Sequence, residues 1–362
     1  MARTTVSLRA ARLALLLACV GAAAAQATRR AGPAPGKPTH AAAAAAASAP
    51  ASAVAAAASD LVKKAPPPSK ELPFLQYQAT QSGADTYRES PSASEFKTMN
   101  SQQMRDAFLI ERVFAPGQVL VTYTTHDRMV TGGAMPDGAA PLRLPDSSVG
   151  GNAAPFLWRR ELAVFNVGGP GRVTVDGKAF NLSTHDALYV PAFAEEVVFS
   201  NADAARPAKF WLAGAPCHVA YRPVKIALSE ADSIAFQTSA ASNRTLRRFV
   251  VPQRVDACQL TMGATFLEPG AAWNQMPGHL HPRRSEMYLY FGMEPETRVV
   301  HIMGEPSETR HLIVANEQGV LCPSWGVHVG AGTGRHAIAW AMAGENQAPE
   351  DRYRVDIDDI LK

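Results

Sequence analysis

Between Met276 and Glu286 the chain reads Met-Pro-Gly-His-Leu-His-Pro-Arg-Arg-Ser-Glu, which gathers two imidazoles, two guanidiniums and a carboxylate in one short run. On a β-strand, residues two apart point to the same face about 6.7 Å along the chain, so His279 and His281 can turn their rings to one point. Glu286 follows five positions after His281, which on an unbroken strand would face it away. Pro282 argues against an unbroken strand, and a turn through residues 283–285 lets Glu286 re-enter on the next strand facing the same point. Two imidazoles and a carboxylate suit zinc, iron(II), manganese or nickel. A more distant fourth ligand is offered by Pro323-Ser-Trp-Gly-Val-His328, at the head of a turn-rich segment. An isolated histidine is ordinarily a hydrogen-bonded core or surface residue. An HxH pair followed by this glutamate favours metal over that reading, whereas His328 taken alone favours neither.

The elements that must position these groups read as strands. One helix is predicted over residues 101–111, with Ser101 as cap and Met104, Phe108 and Leu109 at helical spacing. Short β-rich runs follow at 119–125, 162–167, 172–175, 187–190, 196–200 and 210–213. Arg172-Val-Thr-Val175, then Asp176-Gly177, then Lys178 is a hairpin signal. After a looser connection over 224–244, a second series runs through 259–266, 286–291, 298–303, 311–315, 319–322 and 337–341. Many short strands with almost no helix between them predict an all-β chain of two sandwich or barrel domains, over residues 85–225 and 226–362. Gly168-Gly169-Pro170-Gly171 is not followed by a helix, so a phosphate-cradling loop is excluded.

With 362 residues the chain can bury a sizeable core. Its 35 basic and 32 acidic side chains give a formal charge of +3, but nine basic and only two acidic groups lie before residue 74. The remainder holds 26 basic and 30 acidic groups, so a nucleic-acid or other polyanionic partner has no support. Arg3, Arg9 and Arg12, the apolar run 13–20 and the small residues 23–27 read as a signal peptide over residues 1–27. That run is too short and alanine-rich to span a membrane. Residues 28–84, dominated by Ala, Pro and Ser, read as a low-complexity linker. Cys217, Cys258 and Cys322, odd in number and widely spaced, predict buried thiols and no disulfide.

The metal motif, H-x-H-x4-E with a later P-x-x-G-x-H, resembles the paired motifs of cupins. Further blocks narrow the match: Arg159-Arg-Glu-Leu162, Thr174-Val-Asp-Gly177, His185-Asp-Ala-Leu-Tyr-Val190, Ser242-Asn-Arg244, Trp273-Asn-Gln-Met-Pro277, Glu308-Thr-Arg-His311 and Gly344-Glu-Asn-Gln347. Together they resemble the 5-keto-4-deoxyuronate isomerase family, the 4-deoxy-L-threo-5-hexosulose-uronate ketol-isomerases of pectin breakdown, from about Tyr87 to Lys362. The resemblance implies a bicupin with a few short helices, assembled as a homohexamer. It implies one zinc per subunit held by His279, His281, Glu286 and His328, and a first cupin without a metal motif. It also implies an aldose–ketose isomerisation of a small uronate.

Such a reaction needs a proton carrier, for which Glu161, His311 and Tyr290 are the suggestive side chains. Each has a blander role: Glu161 can pair Arg160, His311 can be a satisfied histidine, and Tyr290 can fill the core. The substrate carboxylate calls for a guanidinium, with Arg283, Arg284, Arg160 and Arg310 as candidates. The competing readings are an iron cupin dioxygenase and a non-catalytic sugar-binding bicupin. The leader implies export, whereas the family resemblance implies the cytoplasm.

Overall fold

In the computed structural model, the described residues are 79 and 83–360, apart from 150, 151, 238 and 349. The expected signal peptide and most of the expected linker lie outside them. The chain is all-β, with two cupin-type sheet pairs. In the first, a seven-stranded sheet is ordered Thr86–Arg88, Gln118–Thr124, Val130–Met135, Phe210–Pro216, Arg160–Asn166, Ala187–Val190, Val224–Ile226. It faces a four-stranded sheet ordered Lys178–Leu182, Gly171–Val175, Val197–Asn201, Leu142–Arg143. The predicted hairpin is present: Val175 pairs Lys178, and Asp176 and Gly177 both take positive φ, the conformation a two-residue hairpin turn requires.

In the second pair, the seven-stranded sheet is ordered Asp232–Phe236, Arg244–Val250, Thr261–Leu267, Ala337–Gly344, Arg284–Phe291, Gly319–Cys322, Leu109–Ile110. Its partner is ordered Glu308–Val314, Val299–Glu305, Val327–Gly332, Gly278–Leu280, Tyr353–Val355. The connection expected to be loose over 224–244 contains Val224–Ile226, the last strand of the first large sheet, and Asp232–Phe236, the first strand of this one.

Three apolar cores account for this architecture. Val164, Phe199 and Phe210 lie inside the first sheet pair. Tyr288, Tyr290, Val299, Met303, Ile338 and Trp340 lie inside the second. The third joins the outer faces of the two seven-stranded sheets, through Ala163, Phe165, Trp211, Phe249, Met287 and Leu289. The strand Ala337–Gly344 shows how the sequence encodes this. Ala337, Ala339, Ala341 and Ala343 turn to the joint between sheets, while Ile338, Trp340 and Met342 fill the barrel. Period-2 alternation here separates small from large rather than apolar from polar, because both faces are covered. For the same reason every residue of Arg284–Phe291 is buried.

The helix spans Ser101–Phe108, and its cap is Asn100 rather than Ser101, with Gln103 completing a capping box. It stops at Leu109 because Leu109 and Ile110 join the second sheet beside Gly319 and Val320. Phe96, Met104 and Phe108 fill the second barrel, although the sequence reading assigned this segment to the first domain.

The expectation of three free thiols is corrected. Cys217 and Cys258 form a disulfide between chain positions 41 apart, with Cα atoms separated by 5.5 Å, and only Cys322 is free among the described residues. Face-to-face packing of the two large sheets brings together the end of Phe210–Pro216 and the approach to Thr261–Leu267, a juxtaposition that sequence spacing does not reveal.

Candidate metal centre

His279 lies on the short strand Gly278–Leu280, directly opposite His328 on Val327–Gly332, so the cross-strand pair puts both rings on one face. His281 follows just past that strand. The chain then turns: the Arg284 N–H donates to the His281 carbonyl at 3.0 Å, and Arg283 takes a φ of +74°. This turn carries the chain to the opposite sheet, where Arg284–Phe291 presents Glu286 back toward the histidines. Asp127, from a turn of the first sheet pair, accepts the Ser285 N–H at 2.7 Å and so pins the position next to Glu286. Gly344 pairs with Arg284 at a φ of +155°. A Cβ there would fall 2.2 Å from the Arg283 carbonyl oxygen, so only glycine allows the turn so close.

The four side chains converge, each offering one donor atom, with all four atoms within 4.8 Å of one another. His279 Nε2 lies 3.1 Å from His281 Nε2, and Glu286 Oε2 lies 3.3 Å from His281 Nε2 and 2.9 Å from His328 Nε2. All four residues are buried. Glu286 Oε2 and both His328 nitrogens are buried without a hydrogen-bond partner. Buried polar atoms left in this state are costly unless something else satisfies them, and a divalent cation with N and O ligands does so.

The electrostatics agree with ligand duty. Burial, with repulsion from His328 and His281, holds the His279 imidazole well below its usual proton affinity. Burial also lowers His281, against the opposing pull of Glu286. Burial would raise Glu286, but attraction to the adjacent His328 and His281 outweighs it and keeps the carboxyl far below the ordinary range. Neutral imidazoles and an ionised carboxylate are the forms that bind metal. Behind them, His281 Nδ1 has Arg284 Nη2 at 3.1 Å and the Asp351 carbonyl at 3.5 Å, and that carbonyl also accepts from Arg284 Nη2 at 2.8 Å. Such backing orients a ligating ring. Gln275 Nε2 contacts the His279 ring at 2.9 Å, and its Oε1 accepts from the Tyr288 hydroxyl at 3.0 Å. Burial and Glu286 keep Tyr288 neutral by raising its pKa well above 10.

Of the other sequence-nominated residues, the structure brings few here. Glu161 is a correction. It is fully buried between the large sheets, and its carboxylate accepts from Tyr189 and from the backbone N–H groups of Cys258, Gln259 and Leu260 at 2.8–2.9 Å. It ties the two sheet pairs together beside the disulfide. His311 is also corrected: it alternates with the core residue Leu312 on Glu308–Val314 and is exposed on the outer face.

Tyr290 is bound to Asn274 and His301 within the core, and Tyr288, also buried, is the tyrosine whose ring lies against His328. Arg160 stacks on Phe156 and Tyr123 in the first sheet pair. Arg310 is held by Glu308 and the Lys97 carbonyl. Arg283 is paired with Glu345 and Asp351, and Arg284 is buried behind His281. Sequence reasoning missed Gln275, Tyr288 and Asp351. Tyr288 was accessible from period 2, being two residues past Glu286 on the same strand.

The KduI/IolB family model matches residues 98–359. The 4-deoxy-L-threo-5-hexosulose-uronate ketol-isomerase of Enterobacter sp. (strain 638) is 42% identical over 280 residues, covering 75% of this chain and 99% of that protein. The protein of the same name from Yersinia pestis (strain Pestoides F) is 43% identical over 274 residues, again covering 75% and 99%. Among solved structures, an IolB-like protein from Salmonella typhimurium LT2 superposes with a TM-score of 0.56 at 14% identity, over 68% of this chain and 96% of that one, which speaks for the fold alone. The chain is an isomerase and belongs to the KduI/IolB family.

Proposed function

We propose that the protein is a zinc-dependent ketol-isomerase that converts 4-deoxy-L-threo-5-hexosulose uronate to 3-deoxy-D-glycero-2,5-hexodiulosonate. The carrying observation is the convergence of His279, His281, Glu286 and His328 on one buried point, in a chain 42–43% identical to ketol-isomerases along nearly their whole length.

An aldose–ketose interconversion moves a proton from C2 to C1 through an enediol. A divalent metal held by the four ligands would supply polarisation of the carbonyl and stabilisation of the developing oxyanion. The chain's own contribution is positional. Asp127 and Gly344 fix the turn carrying Glu286, the Asp351 carbonyl orients His281, and Gln275 links the His279 ring to the neutral Tyr288 hydroxyl. Burial keeps water from the ligands and strengthens every charge interaction among them.

The family resemblance supports a homohexamer. For location, the signal-like leader and the Cys217–Cys258 disulfide both favour export over the cytoplasm, where thiols are kept reduced.

The test is to incubate the purified protein with the ketouronate, follow the product by NMR, and analyse metal on the same sample. Oxygen-independent conversion with about one zinc per chain is expected. Oxygen consumption with bound iron would favour a dioxygenase, and uronate binding without turnover would favour a sugar-binding module. Glu286→Gln and His281→Ala are each expected to lower metal content at least about tenfold and to abolish conversion together with it.

A further inference from the structure

Of the four arginines read from the sequence, Arg283 and Arg310 are held by carboxylates, Arg160 stacks on aromatic rings and Arg284 is buried behind His281. Two others, Arg244 and Arg352, belong to elements next to the ligands. Arg244 begins the strand Arg244–Val250, where it pairs with Leu267 on one side and Phe236 on the other. Alternation places it with Leu246 on the barrel-facing side of the sheet, the side that also carries Glu286 and Tyr288. Its guanidinium stacks on the Phe236 ring at 4.8 Å. Its Nη1 is held by the Ser242 carbonyl at 2.8 Å and the Ser242 hydroxyl at 2.7 Å. The Ser242 segment is fastened to the run leading to the ligands, since the N–H groups of Ala272 and Trp273 both donate to the Ala241 carbonyl at 2.9 Å.

Arg352 arrives from the other side. The preceding residue, Asp351, supplies the carbonyl behind His281, and the following strand, Tyr353–Val355, pairs with Gly278–Leu280 across His279. Arg352 is exposed, and it lies within electrostatic reach of both the His279 ring and Arg244, while Arg244 is in reach of Tyr288.

The charge arrangement is what asks for a ligand. Two guanidiniums repel, and a protein normally sets a carboxylate between or beside them. Several neighbouring arginines follow that habit, though Arg247 and Arg284 do not: Arg248 and Arg254 share Asp232, Arg283 has Glu345 and Asp351, and Arg354 has Asp356. Among the described residues, Arg244 and Arg352 have no carboxylate partner. Arg244 Nη2 and Nε have no acceptor, and they are not among the buried unpartnered atoms. Arg244 is nevertheless pre-ordered by its stack and its Ser242 bonds, so little rotamer freedom is lost when an anion binds.

We propose that Arg244 and Arg352 form a carboxylate subsite beside the metal centre, which takes the acid group of the uronate and leaves its far end at the ligands. The assignment rests on the isomerase reading above and deepens it.

The test uses metal-loaded full-length protein and three variants: Arg244→Ala, Arg244→Lys and Arg352→Ala. With the ketouronate, the alanine variants are expected to raise KM at least about tenfold with kcat within about threefold and metal content at the parental level. Arg244→Lys is expected to fall between, because lysine keeps the charge and loses the planar fork. In parallel, D-galacturonate should inhibit the parent competitively, D-galactose should not, and the alanine variants should be at least about tenfold less sensitive to galacturonate. Unchanged KM and unchanged galacturonate inhibition at full metal content would overturn the subsite. Because Arg352 is exposed, its variant decides the matter if Arg244→Ala does not fold. If the parent does not isomerise the ketouronate, the function falls, and direct galacturonate binding by calorimetry judges the subsite. Binding lost in both alanine variants keeps it, whereas binding indifferent to them, or none to the parent, removes it.

Discussion

Glu161 and Glu286 are both buried glutamates on long strands, and what separates them is what surrounds their oxygens. Glu286 meets three imidazoles whose nitrogens have lone pairs to share, and its Oε2 is left without a hydrogen bond. Glu161 meets only donors, four of them, and is fully satisfied. The first arrangement asks for a cation and the second for nothing, so one residue type serves chemistry at one place and cohesion at the other. Glu161→Ala should therefore leave metal content unchanged while lowering unfolding free energy by roughly 3 kcal/mol or more, since it strands several buried donors at once. Denaturant melts with metal analysis on the same sample check this, and loss of metal without loss of stability would refute it.

At the scale of elements, the site is built from strands of both sheets of the second pair. Gly278–Leu280 and Val327–Gly332 bring His279 and His328 opposite each other, while Glu286 comes from the facing sheet. The precision of that meeting depends on how the seven-stranded sheet carrying Glu286 is seated against its neighbour from the first sheet pair. The alanines of Ala337–Gly344 set that separation. Ala341→Leu adds three heavy atoms to a filled joint, for an expected cost of about 1–3 kcal/mol. Ala341 sits opposite Met287, one residue past Glu286, so the displacement is also expected to weaken metal retention under chelator challenge. A neutral effect on both readouts would mean the joint is looser than its burial indicates.

For the whole molecule, pH provides the most direct probe. His126, in the turn that also carries Asp127, is buried with an unpartnered Nε2, and burial lowers its pKa to about 4. His301, buried between Tyr290 and Cys322, is lowered to about 3, chiefly by burial. In the unfolded chain both titrate near 6.5. Between those values the unfolded state binds protons that the folded state refuses, so stability falls as pH drops from about 6.5 toward 4 and levels off once the folded groups titrate too. The denaturation midpoint of the parent should drop over that window, and His126→Gln should drop less. Equal slopes would show that His126 accepts its proton without unfolding.

The His279, His281 and Glu286 trio was legible in the sequence because its spacing is local. Two residues on a strand share a face, and a turn after Pro282 returns the third. The all-β class, the hairpin at Asp176-Gly177 and most strands were legible for the same reason, since period and turn chemistry act over a few residues. Only the tertiary structure decided that His328 faces His279, that Cys217 reaches Cys258, that Glu161 is a tie between sheets, and that residues 96–110 belong to the second barrel. It also decided that Arg244 lies on the barrel-facing side that carries Glu286 and that Arg352 adjoins the residue behind His281, while Arg160 and Arg310 are held elsewhere. These relations join positions tens to hundreds of residues apart, and they are set by which sheet faces must be buried against which. A single sequence carries that requirement in its composition without stating the pairing.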